Sequence, residues 1–181
     1  STLGPLEVVG NPLPPRASVS VDDRKVHHLL LLGRNDPVKG HAFAVQLTEA
    51  LRPSFPNLRL TMTGISQSEH TWVDARGWVS EEEKAGLLAH SSVLLIPSAF
   101  EGQPLVALEA LSAGLPVCAS DRIVGLPATV KVAAFEDVEA WVAAVSDLLF
   151  RPPESAALMA SVACYGIDEI QRRWKTIYES F

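Results

Sequence analysis

The tightest constraint on the fold lies in residues 97–120, PSAFEGQPLVALEALSAGLPVCAS, together with the apolar residues just before them, Val93, Leu94, Leu95 and Ile96. A short unbroken apolar run bounded by a proline reads as a strand of a parallel sheet, buried on both faces. Pro97 stops that strand. Pro104 suits the first turn of a helix, where its missing N–H costs nothing. The helix carries Leu105, Leu108, Glu109 and Leu111, and Gly114 with Pro116 ends it. Val117, Cys118 and Ala119 open the next strand. The unit is therefore strand–loop–helix–strand, with one carboxylate in the loop and a second inside the helix.

The second carboxylate is the more informative. Glu109 sits among alanines and leucines, and a buried carboxylate is costly unless it is paired or hydrogen-bonded. Glu101 lies eight residues earlier, just beyond the carboxyl end of the strand, where open α/β sheets bind ligands. Gly102 allows close backbone approach. The unpaired amides that open the helix offer an anion roughly half a positive charge. Two hydroxyl-binding carboxylates beside a phosphate site suit a sugar nucleotide.

The rest of the chain repeats the alternation. Residues 26–32, VHHLLLL, read as the first strand, ended by Gly33. The loop RNDPVKG follows, with Arg34 and Lys39, and then a helix over 41–51 whose apolar residues Phe43, Val45, Leu47 and Leu51 fit one face only approximately. An Arg that forks two phosphate oxygens and a Lys that supplies a mobile charge would make this a phosphate loop, although on its own it reads sooner as an ordinary basic loop. Residues 58–63 form the second strand and 73–78 a third. Ser80 and Glu83 make a capping box for a helix reaching His90. A last short strand spans 130–134. Beyond it Val138, Trp141, Val142, Val145, Leu148 and Leu149 mark an amphipathic helix stopped by Pro152 and Pro153, followed by a helix over 154–164. A third carries the stripe Ile167, Ile170, Trp174, Ile177, Tyr178 and Phe181. Strands alternating with helices throughout imply a Rossmann-like three-layer α/β sandwich with a mostly parallel sheet.

At 181 residues the chain is one domain by length, and the Pro-rich residues 1–25 read as a linker or extended arm ahead of a domain over 26–181. A net charge of −6 gives no footprint for nucleic acid. The longest apolar run is too short to cross a bilayer, and the first residues carry no secretory pattern. Cys118 and Cys164 are expected as reduced core thiols of a cytoplasmic protein. The five histidines show no ligand spacing, so no metal site is expected.

The segment EGQPLVALEA and the following SAGLPVCAS resemble the E-x7-E segment of retaining GT-B glycosyltransferases, the glycosyl transferases group 1 (family 4) type. Gly33-Arg34 with Lys39-Gly40 resembles the same family. The resemblance implies the carboxyl-terminal, donor-binding half of a GT-B enzyme that transfers a sugar, a hexose by expectation, from a nucleoside diphosphate without a required metal or other cofactor. It implies that Glu101 sits beside the transferred sugar, that Arg34 and Lys39 grip the diphosphate, and that Glu109 holds the ribose hydroxyls. Gly102, Gln103, Pro104, Leu105 and Val106 would face sugar and phosphate, and Trp78 and Val79 the base, with simple packing the other reading of Trp78. An amino-terminal GT-B domain outside these residues would be a partner, and peripheral membrane association of a full-length enzyme stays open. One departure stands out: Gly125-Leu126-Pro127 is followed by Ala128 where the family commonly has Glu, which puts that residue's role in doubt. Other readings are a non-catalytic module that keeps the fold and a sugar-nucleotide epimerase on the same fold. A dinucleotide oxidoreductase is weakened by the absence of G-x-G-x-x-G after the first strand.

Overall fold

The computed structural model describes residues 9–13 and 27–179. Its centre is a six-stranded, all-parallel sheet in the order β3-β2-β1-β4-β5-β6. The strands are β1 (His28–Leu31), β2 (Arg59–Met62), β3 (Val73–Ala75), β4 (Val93–Ile96), β5 (Val117–Ser120) and β6 (Lys131–Ala133). Parallel neighbours need crossovers. These are α1 (His41–Leu51) between β1 and β2, α2 (Glu81–His90) between β3 and β4, and α3 (Leu105–Ser112) between β4 and β5. Three more helices follow β6: α4 (Val138–Phe150), α5 (Ser155–Ser161) and α6 (Ile167–Glu179). No helix among the described residues is long and apolar enough to cross a membrane.

The two-residue period of the strands sorts the core into two halves. Leu29 and Leu31 of β1 point to one face, with Leu47 and Leu51 of α1 and Trp141, Val145 and Leu148 of α4. Leu30 points to the other, with Leu94 and Ile96 of β4, Ala107, Leu108 and Leu111 of α3, and Leu158 of α5. Helices therefore cover both faces, and β4 and β5 are buried at every position. This is why their sequences show apolar runs rather than alternation.

Several boundaries differ from expectation. β1 starts at His28 and ends at Leu31, β2 omits Leu58 and Thr63, β3 stops at Ala75, and β6 covers only Lys131–Ala133. The stripe that α1 buries is His41, Ala44, Leu47, Thr48 and Leu51. Two polar residues belong to it, which explains the poor fit of Phe43 and Val45. His41 Nε2 donates to Thr63 O at 2.9 Å, and Thr48 Oγ1 returns its proton to Ala44 O at 2.7 Å, so each has a carbonyl partner inside. Pro104 caps α3 instead of entering its first turn, with ψ of 92°. The helix expected over 154–164 ends at Ser161 and passes into a 3₁₀ turn at Ala163–Tyr165. That leaves Cys164 exposed, so only Cys118 is a core thiol. Burial pushes the Cys118 thiol up to about 12, against a small pull from Lys131. Phe181 of the expected stripe lies outside the described residues.

Candidate functional site

The order β3-β2-β1-β4-β5-β6 reverses direction between β1 and β4, and such a switch point opens a crevice at the carboxyl ends of the two strands. Here an open cleft of about 500 Å³ is lined by Gly33, Arg34, Lys39, Thr63, Trp78, Val79, Lys84 and Glu101, and by Gln103 through Val106.

One wall is the loop after β1. Thr63, at the end of β2, pins its start: Oγ1 accepts from Gly33 N–H at 2.9 Å and donates to Gly33 O at 3.1 Å. Gly64 makes this approach feasible. Its φ is +80°, and a Cβ there would lie 2.4 Å from Gly33 O and 2.6 Å from Asn35 N. Asp36 then caps a 3₁₀ turn, Pro37–Lys39, by accepting from Val38 N–H at 3.0 Å. That backbone bond, helped by Arg34, holds the Asp36 carboxyl below the usual carboxylate range. Arg34 Nη2 is 3.0 Å from Asp36 Oδ2 and its side chain is largely exposed. The cap thus ends in a guanidinium turned out to solvent, with N–H groups still to spare.

The opposite wall is the loop after β4. Ala99 N–H donates to Val38 O at 2.9 Å, so the two loops touch through their backbones. Lys39 Nζ meets Glu101 Oε1 at 2.5 Å, and Ser98 Oγ donates to the same oxygen at 3.1 Å. The loop then turns into α3, whose first amides, at Leu105 and Val106, have no partner within the helix. Cation, carboxylate and helix terminus therefore share one rim.

Glu109 lies one turn into α3 and is 8% exposed. Its Oε1 is 3.1 Å from Lys84 Nζ on α2, and Lys84 also reaches Glu81 Oε2 at 2.8 Å. Burial lowers the Lys84 pKa, but the bonds from Glu81 and Glu109 outweigh it and leave it above the usual lysine range. The cost of a buried carboxylate, legible from the sequence, is met by this lysine, which itself lines the cleft. Trp78 also lines it and is 86% exposed, so it is not packed against the described residues.

The structure gathers Arg34, Lys39, Trp78, Val79, Glu101, Gln103, Pro104, Leu105 and Val106 on one cleft, with Glu109 joined to it through Lys84. Gly102 stands apart: it is exposed, and lines a second depression of about 320 Å³ behind the loop. Sequence reasoning missed Asp36, Thr63, Ser98 and Lys84. Asp36, just before a proline at the start of a turn, carried a local capping signal. Ser98 stands three residues before Glu101 in the same segment, whereas Thr63 and Lys84 act across the fold and left no signal in the chain.

Comparison with known proteins adds a family. A model described as glycosyl transferases group 1 matches residues 26–150. An MMP alpha-(1->4)-mannosyltransferase of Mycolicibacterium hassiacum is 35% identical over 146 residues, covering 76% of this chain and 34% of that protein. The structure of TarM superposes with a TM-score of 0.78 at 14% identity, covering 94% of this chain and 38% of the other. That of the pneumococcal O-GlcNAc transferase GtfA, in complex with UDP and GlcNAc, gives 0.76 at 18% identity, with 95% and 38% covered. The chain thus spans about a third of the length of each.

Proposed function

From the premise that the chain belongs to the glycosyl transferases group 1 family, we propose that it is the donor-binding domain of a retaining GT-B glycosyltransferase, and that its cleft holds a nucleoside diphosphate sugar. The observation that carries this reading is the convergence on one switch-point cleft of Arg34, Lys39 and the α3 amino terminus with Glu101, while Glu109 stands one helical turn further in. A diphosphate needs the first group and sugar hydroxyls the second. The mannosyltransferase relative and the UDP-bound O-GlcNAc transferase fit the same class of donor.

Each residue then has a task. Arg34 forks the diphosphate oxygens, and Lys39 moves between Glu101 and the phosphates as a mobile charge. As the bond from the anomeric carbon to the diphosphate oxygen breaks, negative charge grows on the departing diphosphate. Arg34, Lys39 and the α3 amides are aimed where that charge develops. Glu101 accepts from hydroxyls of the transferred sugar, and the acceptor oxygen joins the anomeric carbon on the face the diphosphate leaves, its hydroxyl proton passing to the departing diphosphate oxygen. Glu109 accepts from the ribose hydroxyls while Lys84 holds its carboxylate in place. Trp78 and Val79 flank the base, for which an exposed indole at the cleft edge offers a stacking face.

Titration of the isotope-labelled chain with UDP, GDP and ADP and their hexose conjugates tests the reading by NMR. Amides at 33–40, 78–79 and 101–106 are expected to shift. If no nucleotide moves either phosphate-facing loop at millimolar concentration, the reading fails.

A further inference from the structure

The loop that carries Glu101 is held almost entirely by side chains. Among the described residues, no backbone–backbone hydrogen bond involves residues 100–103, and Pro104 has no N–H to give. Gly102 adds freedom, with nothing within 4 Å of where its Cβ would stand. One tie is at Glu101, through Lys39 and Ser98. The other is at Gln103, and it comes from the segment ahead of β1.

Residues 9–13 lie against the back of this loop. Leu13 is buried, donates its N–H to Tyr165 O at 2.8 Å and forms a parallel bridge with Gly166. With that end anchored, Asn11 donates both its backbone N–H and its Nδ2 to Gln103 Oε1, each at 3.0 Å. A backbone N–H can only donate, so the carboxamide atom facing it must be the oxygen. Gly10 closes the contact: a Cβ there would stand 2.9 Å from Gln103 Nε2 and 2.9 Å from the Tyr165 ring. Gln103 therefore has two sides, one on the cleft and one on the depression it shares with Gly10, Gly102 and Tyr165.

We propose that Asn11 is a positioning residue for the cleft: through Gln103 it fixes the loop over 101–104, and with it the place where the Glu101 carboxylate meets a bound sugar. Lys39 is drawn toward phosphate when a donor binds, which weakens the tie at Glu101. The Asn11 tie is independent of that charge and holds the loop through the exchange. The role toward sugar rests on the proposed function, whereas the ordering of the loop does not.

Backbone ¹⁵N relaxation on the chain without nucleotide is the first measurement. Asn11→Ala is expected to lower the order parameters of Gly102 and Gln103 from about 0.85 to below about 0.6, while the 34–39 loop keeps its values. Gln103→Glu should preserve order, since a carboxylate accepts both N–H groups, and Gln103→Leu, which removes both bonds where Asn11→Ala removes one, should lower it at least as far. Unchanged order in Asn11→Ala, or an equal loss in the 34–39 loop, overturns the proposal. The second measurement is affinity for UDP and GDP and for their glucose and mannose conjugates. Loss of one such hydrogen bond should weaken the conjugates by about three- to tenfold and leave the bare diphosphates within about twofold. An equal effect on both also overturns it. If no nucleotide binds at all, the donor reading falls while the relaxation result still decides the coupling.

Discussion

Glu101 and Glu109 are eight residues apart, yet their surroundings give them different work. Glu101 sits in a loop tied by Lys39 and Ser98, beside the groups proposed to receive the departing diphosphate. In a full enzyme containing this domain, Glu101→Ala should mainly lower kcat, because the sugar it faces is the part that changes in the transition state. Glu109→Ala should mainly raise KM, because ribose is unchanged by the reaction. Each loss should be about 1.5–3 kcal/mol, the range for hydrogen bonds to charged groups. Steady-state kinetics with both variants separates them, and equal, unimpaired constants would remove these carboxylates from the mechanism. A second residue-scale expectation concerns the thiols. In the native chain iodoacetamide should alkylate Cys164, and Cys118 only after unfolding, as mass spectrometry of the labelled chain will read. The Cys118 pKa is raised in the fold to about 12, so the fold holds its proton more tightly than the unfolded chain does. That contribution is whole below the unfolded thiol value of about 8.5 and is lost as pH climbs toward the folded value, by up to about 1.4 kcal/mol per pH unit. A Cys118→Ala variant should show a flatter decline in urea midpoint over that alkaline window. At this scale the sequence exposed the carboxylates and the two basic residues, because their neighbours in the chain mark them out. Lys84 stayed hidden, since it meets Glu109 only after α2 packs beside α3.

At the scale of elements, the loop after β1 relies on a small residue in the neighbouring turn after β2 that permits close approach. Gly64 is that residue, with φ of +80° and a Gly33 carbonyl 2.4 Å from the place of its missing Cβ. Gly64→Ala meets backbone rather than the movable end of a side chain, so the loop after β1 must shift. Strain of this kind costs roughly 1–3 kcal/mol. Urea denaturation should show that loss, and nucleotide affinity should fall with it because Arg34 departs from its place; full affinity in a destabilised Gly64→Ala chain would separate the turn from the phosphate loop. The elements themselves were legible wherever burial was complete. β4 and β5 were apparent from their apolar runs, and α2 from the Ser80–Glu83 capping box that the structure forms. Ends were less legible, as at β2, where Thr63 continues the strand pattern in sequence but turns its hydroxyl to Gly33. The stripe of α1 was misread because His41 and Thr48 are buried by virtue of carbonyl partners that hydropathy does not register. Strand order was beyond reach, because each helix states that a crossover occurs and not on which side the next strand lands.

For the whole molecule, the sheet has helices on both faces and two continuous cores, so the chain should fold on its own with a single cooperative urea transition. It should not transfer sugar on its own. The cleft is open to solvent opposite Arg34 and Glu101, and a glycosyl donor needs water kept from its anomeric carbon until the acceptor arrives. In the proposed GT-B arrangement a facing domain closes that side and carries the acceptor, and the relatives' greater length leaves room for one. Among the described residues all six strands belong to one sheet, and none is left to build such a wall. Donor affinity should be correspondingly weak, with one side of the nucleotide held. The last helix points the same way. On α6 only Ile170 is buried, while Trp174 and Tyr178 are 45% and 73% exposed and stack on each other with ring centroids 5.9 Å apart. A paired aromatic surface of that kind favours association, so sedimentation should show concentration-dependent self-association that Trp174→Ser reduces. The deciding assay follows donor consumption by purified monomer with a range of acceptors. Nucleotide binding without turnover is the expected outcome; efficient transfer by the monomer would show that this domain completes its own active site and that no facing domain is required.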